Sequence, residues 1–171
     1  MKILPKKRIL NVQKFRAISL KPLLAKIYDS ILMKRLYNWI YIPNEQTAYQ
    51  KDLGCFIHVF FIRTLISICK KNKSSLFIGI TDFRAAFDSV SRLILFQKLI
   101  KLGIGFVMLN ALKEMYSSAN VCIEMNGEYS HSFELTAGVI QGSSTSTILF
   151  IAYSMDIINL FMNTFESDDY I

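Results

Sequence analysis

The sequence has few of the residues that form disulfide bonds or structural metal sites. Its 171 residues include three cysteines, three prolines and two histidines. Cys55, Cys69 and Cys122 form no CxxC pair and no even set, which argues against a disulfide framework or a structural zinc site. We therefore expect buried free thiols, a reducing intracellular compartment and no disulfide partner.

Long uninterrupted apolar runs are also missing, although 52% of the residues are hydrophobic. The two most apolar stretches, Cys55–Cys69 and Thr147–Met162, contain Arg63 and Asp156 respectively. A charge near the middle of a membrane helix costs roughly 2.5–3.5 kcal/mol on insertion scales. We interpret both stretches as buried core helices and expect no membrane partner; a membrane-associated helical protein is the weaker alternative.

Acidic residues are scarce in the first half of the chain. Residues 1–75 hold 15 Lys and Arg against 3 Asp and Glu, whereas residues 76–171 hold 5 against 10. The first half therefore carries a net charge of +12 and the second half −5. This split suggests one surface for a polyanion and another for cations. Chance clustering of solvated charges is the alternative.

Hydrophobic periodicity predicts a helix-rich α+β protein. Helices are expected at Pro22–Ile40, Cys55–Lys71, Val90–Leu102 and Phe106–Tyr116, and from Ser143 or Ser144 to about Phe165. The apolar, β-branched run Leu76–Asp82 predicts a buried strand. The runs Val121–Met125 and Tyr129–Leu135 flank Asn126-Gly127, a dipeptide typical of a β-hairpin.

Three segments could carry chemistry. In TDFRAAFDSV (residues 81–90), Asp82 ends the predicted strand, and Mg²⁺ prefers such oxygen ligands. In AGVIQGSSTSTILF (residues 137–150), two glycines around Gln141 could place backbone N–H groups and an amide near a nucleotide. FRAISLKPL (residues 15–23) offers Arg16 and Lys21 to phosphates. Taken singly, each segment also fits a helix cap, a glycine turn or a solvated basic loop.

Taken in order, these segments resemble the reverse transcriptase domain of non-LTR (LINE-like) retrotransposons. FRAISL is similar to the family block [FY]RPISL, and TDFRAAFDSV is similar to the block around D-F-x-x-A-F-D-S-V. NEQTAYQKDLGC (residues 44–55) resembles the family's Q-x-G-[FY]-R block. The long stretch from MYSSANVCIEMNGEYS to AGVIQGSSTSTILF follows the family's later blocks. The resemblance covers about Phe15 to Leu160.

The resemblance implies a partial right-hand polymerase, with basic fingers at residues 1–75 and an incomplete palm at residues 76–171. It implies Mg²⁺ or Mn²⁺ as cofactor, an RNA template, a DNA primer and dNTPs as partners, and a nuclear or ribonucleoprotein location. The implied site residues fall into three sets. They are Asp82 and the Phe83 backbone carbonyl at the metal, with Asp82 catalytic; Phe87, Gln141 and Gly142 at the nucleotide; and Arg16, Lys21 and Lys51 at nucleic-acid phosphates.

One block of that family is not found. Its aromatic-x-Asp-Asp hairpin supplies the second pair of metal-binding carboxylates, whereas here Asp168 and Asp169 follow Glu166 and Ser167. We interpret them as a solvated acidic tail. We therefore expect a fragment without the thumb and the second catalytic hairpin. A non-catalytic nucleic-acid-binding remnant of such a domain is the alternative.

We expect the chain alone to be inactive, because one remaining carboxylate cannot hold the two metal ions of phosphoryl transfer. We also expect it to be poorly soluble, because without the second hairpin the strand that ends at Asp82 loses its partners and leaves edges and apolar surface exposed. A primer-extension assay on purified residues 1–171 with Mg²⁺ and dNTPs checks the expected inactivity. Robust extension would contradict the interpretation.

Overall fold

A computed structural model describes residues 18–50, 53–117, 120–125 and 127–166. These residues form five helices and four short strands. The helices are α1 (Leu23–Leu36), α2 (Cys55–Lys71), α3 (Arg92–Lys101), α4 (Phe106–Ser117) and α5 (Ser144–Glu166). The strands are β1 (Asn120–Val121), β2 (Glu124–Met125), β3 (Glu128–Tyr129) and β4 (Phe133–Glu134).

All five predicted helices are confirmed, most of them with bounds within a few residues. The starts and stops have local causes. Pro22 directly precedes α1, where its missing N–H is no loss. Lys70 and Lys71 in the last turn of α2 complement the negative end of the helix dipole. Gly103 separates α3 from α4 at a φ of +80°, a conformation that glycine adopts without strain.

The predicted hairpin is present, but its ladders are short. β2 pairs antiparallel with β3, with Met125 opposite Glu128, and Gly127 in the turn has a φ of +85°. β1 pairs antiparallel with β4, with Val121 opposite Phe133. The two runs expected as continuous strands are each divided into two-residue pieces, so the segment forms two small sheets.

The expectation of a buried strand at Leu76–Asp82 is wrong. Residues 74–83 carry no helix or strand assignment, and Phe77 and Ile80 are 92% and 89% exposed. A strand exists only where a neighbour accepts and donates its backbone hydrogen bonds. Neither of the two sheets in the described part of the chain includes this run. Its β-branched composition therefore does not produce a ladder here.

The expected burial of α2 is also wrong. None of its 17 residues is buried, and Phe60 and Phe61 are more than 60% exposed. The thiols follow the same pattern, because Cys55 and Cys122 are exposed and Cys69 is half-buried. Among the described residues, no helix combines the length and the apolar character needed to cross a membrane.

The chain divides into two compact units. One comprises Met1–Tyr41 with Ala85–Ile157, and the other Ile42–Arg84 with Ile158–Ile171. The predicted division into fingers (1–75) and palm (76–171) has different bounds and stays a prediction.

All described residues of the buried apolar core belong to the first unit. α1, α3, α4 and α5 each contribute apolar side chains, and the segments after α1, before α3, between α3 and α4, and before α5 add the rest. The members are Leu32, Leu36, Ile40, Val90, Leu95, Leu99, Ile104, Leu109, Leu112, Tyr116, Val139, Ile140, Ile148, Leu149, Ile151 and Ala152. α3 is tied to α5 by Lys98, whose ammonium lies 2.8 Å from the Asp156 carboxylate and also donates to the Tyr153 carbonyl.

Candidate functional site

The segment that precedes α5 is docked on the segment that precedes α3. The Val139 N–H donates to the Phe87 carbonyl at 2.9 Å, and the Gly138 N–H donates to the Val90 carbonyl at 3.0 Å. Gly138 has a φ of +75°, and a Cβ at this position would lie 2.9 Å from the backbone of Phe87 and Asp88. Such a contact is too short for any side chain. Glycine therefore permits the close approach of the two backbones.

Residues 140–143 form a tight turn, called here the Gln141 turn. The Ser143 N–H donates to the Ile140 carbonyl at 3.1 Å, and Gly142 has a φ of +99°. A positive φ at the third position is what a type II turn requires, and glycine meets it at least cost. The exposed Gly142 and the half-buried Gln141 form the tip of the turn.

The Gln141 turn is held from outside by the chain that enters α1. The Ser19 N–H donates to the Gln141 carbonyl at 2.8 Å. The Ser19 carbonyl oxygen would lie 2.9 Å from a Cβ on Gly142. Two backbones that are more than 120 residues apart in sequence therefore meet without any intervening side chain.

The amino end of α5 is capped by a carboxylate from α1. Asp29 is 2% exposed. Its oxygens accept the Ser144 N–H at 2.7 Å and the Thr145 N–H at 3.2 Å. They also accept the Ser143 hydroxyl at 2.8 Å and the Thr145 hydroxyl at 2.7 Å. Asp29 therefore caps α5 and also meets the positive end of its helix dipole.

Lys21 completes this network. Its ammonium donates to the Ser143 hydroxyl oxygen at 2.9 Å and lies 3.4 Å from Asp29 Oδ2, and its side chain is 14% exposed. Burial acts to raise the pKa of Asp29, but the hydrogen bonds from Thr145, Ser143 and Ser144, together with the Lys21 charge, outweigh it. The pKa of Asp29 is therefore lowered from its ordinary value, and the carboxylate is kept ionised.

Arg92, in the first turn of α3, binds the carbonyls on the other side of the segment. Its guanidinium donates to Gly138 at 2.9 Å, to Ala137 at 3.2 Å and to Tyr116 at 3.3 Å. It also lies over the Tyr116 ring, 5.0 Å from the ring centre. The buried Tyr116 hydroxyl lies 3.2 Å from the Ser146 hydroxyl, and burial raises the pKa of the phenol. Burial lowers the pKa of Arg92.

Phe87 stacks on α5. Its ring centre lies 5.2 Å from that of Phe150, with the two planes 17° apart. The side chain is half-buried, so part of the ring stays open to solvent. The stack places an aromatic surface on the same α5 helix whose amino end follows the Gln141 turn.

Asp82 and Phe83 lie in the other compact unit and are exposed. Their carboxylate and carbonyl oxygens have the chemistry that Mg²⁺ prefers. Within the described ranges, however, no three Asp, Glu, His or Cys side chains cluster to hold a metal ion. The donors fit a hard cation in kind, but one carboxylate is fewer than a two-metal centre needs.

A family model described as reverse transcriptase (RNA-dependent DNA polymerase) matches residues 4–170. This chain belongs to the reverse transcriptase family. Among curated proteins it is 30% identical over 141 residues to a Retrovirus-related Pol polyprotein from the type-1 retrotransposable element R2 of Bradysia coprophila. It is 27% identical over 138 residues to the corresponding polyprotein from the type-2 element R2DM of Drosophila melanogaster.

A third relative, from an R2 element of Popillia japonica, is 27% identical over 143 residues. The three alignments cover 81%, 81% and 83% of this chain but 16%, 13% and 20% of the relatives. The chain therefore spans at most a fifth of their length. Together with the family match, these relatives identify it as a reverse transcriptase domain of the non-LTR type.

In this reverse transcriptase domain, the structure brings together some of the predicted site residues. Lys21 lies beside the Gln141 turn, and the backbone of Phe87 is bonded to the adjoining Val139. Arg16 and Lys51 lie outside the described residues. Lys21 is engaged in an internal ion pair, and its contact with nucleic acid stays a prediction, as do the roles of Asp82, Phe83, Phe87, Gln141 and Gly142.

Sequence reasoning missed Asp29 and Arg92. Asp29 had a detectable signal, because it occurs three and seven residues before Leu32 and Leu36, on the apolar stripe of α1. A charged residue on a buried helix face requires a partner. Arg92 had no comparable signal, since all three of its acceptors are backbone carbonyls.

Replacing Gly142 with alanine should destabilise the domain more than the matched replacement at Gly103. Both residues have a positive φ, but nothing lies within 4 Å of a Cβ at Gly103. The left-handed backbone alone should cost Gly103→Ala about 1–2 kcal/mol. Contact with the Ser19 carbonyl should add a further 1–3 kcal/mol or so to Gly142→Ala. Urea unfolding measures both, and equal losses would contradict the contact.

Acid should weaken the domain through Asp29. A carboxylate whose pKa is lower in the folded state stabilises the protein above its unfolded pKa, and this contribution is lost as pH falls through the folded pKa. The unfolded value is about 4, so the loss should begin below about pH 5. Asp29→Asn should flatten the plot of unfolding free energy against pH in that window. Parallel plots for the wild type and the variant would contradict the role of Asp29.

Proposed function

We propose that these residues are part of the RNA-directed DNA polymerase of a non-LTR retrotransposon, which extends a DNA primer on an RNA template. The observation that carries the proposal is the convergence of three polymerase-like blocks at one segment. Ser19 of the first block bonds to Gln141, and Phe87 of the second bonds to Val139. Membership of the reverse transcriptase family supports the same activity.

The Gln141 turn forms one wall of the nucleotide pocket. Gln141 offers an amide that can donate to and accept from a bound nucleotide, and Gly142 beside it is exposed and carries no side chain. Phe87 offers the open part of its ring to the sugar, held in orientation by the stack on Phe150. A ring at that place excludes a 2′-hydroxyl by steric contact, which favours a deoxynucleotide.

Asp82 and the Phe83 carbonyl would hold the catalytic Mg²⁺ or Mn²⁺. A divalent ion bound there would supply the charge that activates a primer 3′-hydroxyl and stabilises a leaving pyrophosphate. The chain contributes oxygen ligands through these two residues, whereas the remaining ligands come from the substrate phosphates and from residues outside this pair.

Basic residues of the first 75 positions bind the phosphates of the template and the primer, among them Arg16 and Lys51. The density of positive charge in that half supports the assignment. A nuclear or ribonucleoprotein location, which the family resemblance implies, is part of the proposal.

The chain should bind an RNA–DNA template–primer with an affinity that falls steeply with salt. Each phosphate contact contributes about −0.7 to −0.9 to the slope of log K against log [salt]. Replacing Arg16 with glutamine should reduce that slope by about one unit, because one counterion-releasing contact is lost. Fluorescence anisotropy of a labelled template–primer across a salt series measures the slope.

Two variants control this experiment. Lys101→Gln removes the same charge from the exposed last residue of α3 and should leave the slope unchanged. Asp82→Asn should leave template–primer affinity unchanged, because the residue acts in the reaction rather than in binding. Binding that is independent of salt, or equal slopes for the wild type and Arg16→Gln, would count against the proposed function.

A further inference from the structure

We propose that Asp29 is a positioning residue that holds the Gln141 turn in place for the incoming nucleotide. The inference rests on the proposed function for its nucleotide part and on contacts within the first compact unit for its structural part. Asp29 itself is buried in α1 and does not reach the tip of the turn. Its effect passes through the residues that follow the turn.

The first step is the completeness of the carboxylate's surroundings. Asp29 accepts two backbone N–H groups and two hydroxyls and lies close to the Lys21 ammonium. A buried carboxylate is tolerated only when its oxygens are satisfied in this way. A lone cap on one N–H would neutralise the helix end, but here four donors from three successive residues converge on one group. The direction and position of the first turn of α5 are therefore fixed relative to α1.

The second step is the place of this anchor in the chain. Ser144 lies two residues after Gly142, and Ser143 is itself the last residue of the turn. Asp29 thus accepts hydrogen bonds from residues on the carboxyl side of the turn, whereas the Ser19 N–H donates to the Gln141 carbonyl within it. Both sets of hydrogen bonds come from the same segment, residues 19–29. Lys21 lies between them and bonds to Ser143.

The third step separates positioning from general stability. Among the described residues, the hydrogen bonds and the ion pair of the Asp29 carboxylate go to Lys21 and to residues 143–145, and none goes to buried apolar residues of α3 or α4 such as Leu95 and Leu109. Loss of the carboxylate therefore releases the turn before it releases the core. The hydrogen bond from the Ser19 N–H to the Gln141 carbonyl does not involve Asp29. Its stability therefore shows whether loss of the carboxylate loosens the tip of the Gln141 turn.

Hydrogen exchange in the full chain tests the proposal. In Asp29→Asn, amide exchange should be at least about tenfold faster at Ser144 and Thr145, because their hydrogen bonds to a charged acceptor are lost. It should be faster by a similar factor at Ser19, because the turn that accepts its hydrogen bond is no longer held in place. The Leu95 and Leu109 amides, which bond to Ser91 and Gly105, should change by less than about twofold. Faster exchange at Ser144 and Thr145 with an unchanged Ser19 amide would show a local helix cap and would overturn the proposal.

Two further variants keep the test decisive. Asp156→Asn removes an exposed carboxylate of α5 that pairs with Lys98 and not with the turn, and it should leave the Ser19, Ser144 and Thr145 amides unchanged. If Asp29→Asn fails to fold, Thr145→Val removes one hydroxyl donor and leaves no unpaired buried charge. It should still speed exchange at Ser19, and an unchanged Ser19 amide would again overturn the proposal.

Nucleotide binding then separates this inference from the proposed function. A fluorescent dATP analogue with Mg²⁺ and the template–primer should bind about tenfold more weakly to Asp29→Asn, with template–primer affinity unchanged, because the turn loses its position. Equal nucleotide affinity in the two proteins would overturn the positioning role. If the wild type binds no nucleotide while the Ser19 amide still responds, the nucleotide role of the turn is wrong and Asp29 positions the turn alone.

Discussion

The buried carboxylate of Asp29 meets the amino end of α5, and the position of the Gln141 turn depends on this contact. The first N–H groups of a helix have no partner within the helix, and inside an apolar core they must be given one. Here the partner comes from another helix, at a distance of more than 110 residues along the chain. The contact therefore joins α1 to α5 and at the same time satisfies a buried charge. Lys21 balances that charge from the segment before α1.

Around this anchor, the backbone itself fixes the site. Gly138 and Gly142 allow close packing of backbone on backbone, because a neighbouring backbone atom lies 2.9 Å from the position that a Cβ would occupy at each glycine. Arg92 then binds the carbonyls at Ala137 and Gly138, so that the same short segment is held from both directions. Because backbone atoms make most of these contacts, the shape of the Gln141 turn is set by glycine positions and by two charged side chains rather than by the fit of large apolar groups.

The apolar surface of the protein is divided unevenly. The first compact unit buries a continuous set of aliphatic side chains, whereas the described residues of the second bury none. Phe56, Phe60 and Phe77 are exposed there by 62–92%. The high hydrophobic content of the sequence is therefore only partly explained by a core, and the net stability of the chain rests mainly on the first unit.

Local patterns in the sequence determined the helices, the hairpin turn and the family blocks. Apolar spacing suffices for α1 to α5, and Asn126-Gly127 suffices for the turn between β2 and β3, because each depends on residues close together in the chain. Local patterns could not show whether residues 76–82 form a strand, because a strand needs a neighbouring strand that can be distant in the sequence. The same holds for Asp29 and Arg92, because the hydrogen bonds that define their roles join them to residues between 24 and 116 positions away in the sequence. A buried charge needs a partner, because burying it unpaired has a high free-energy cost. Only the tertiary structure decided which partner each charge has, because the partners are distant in the sequence.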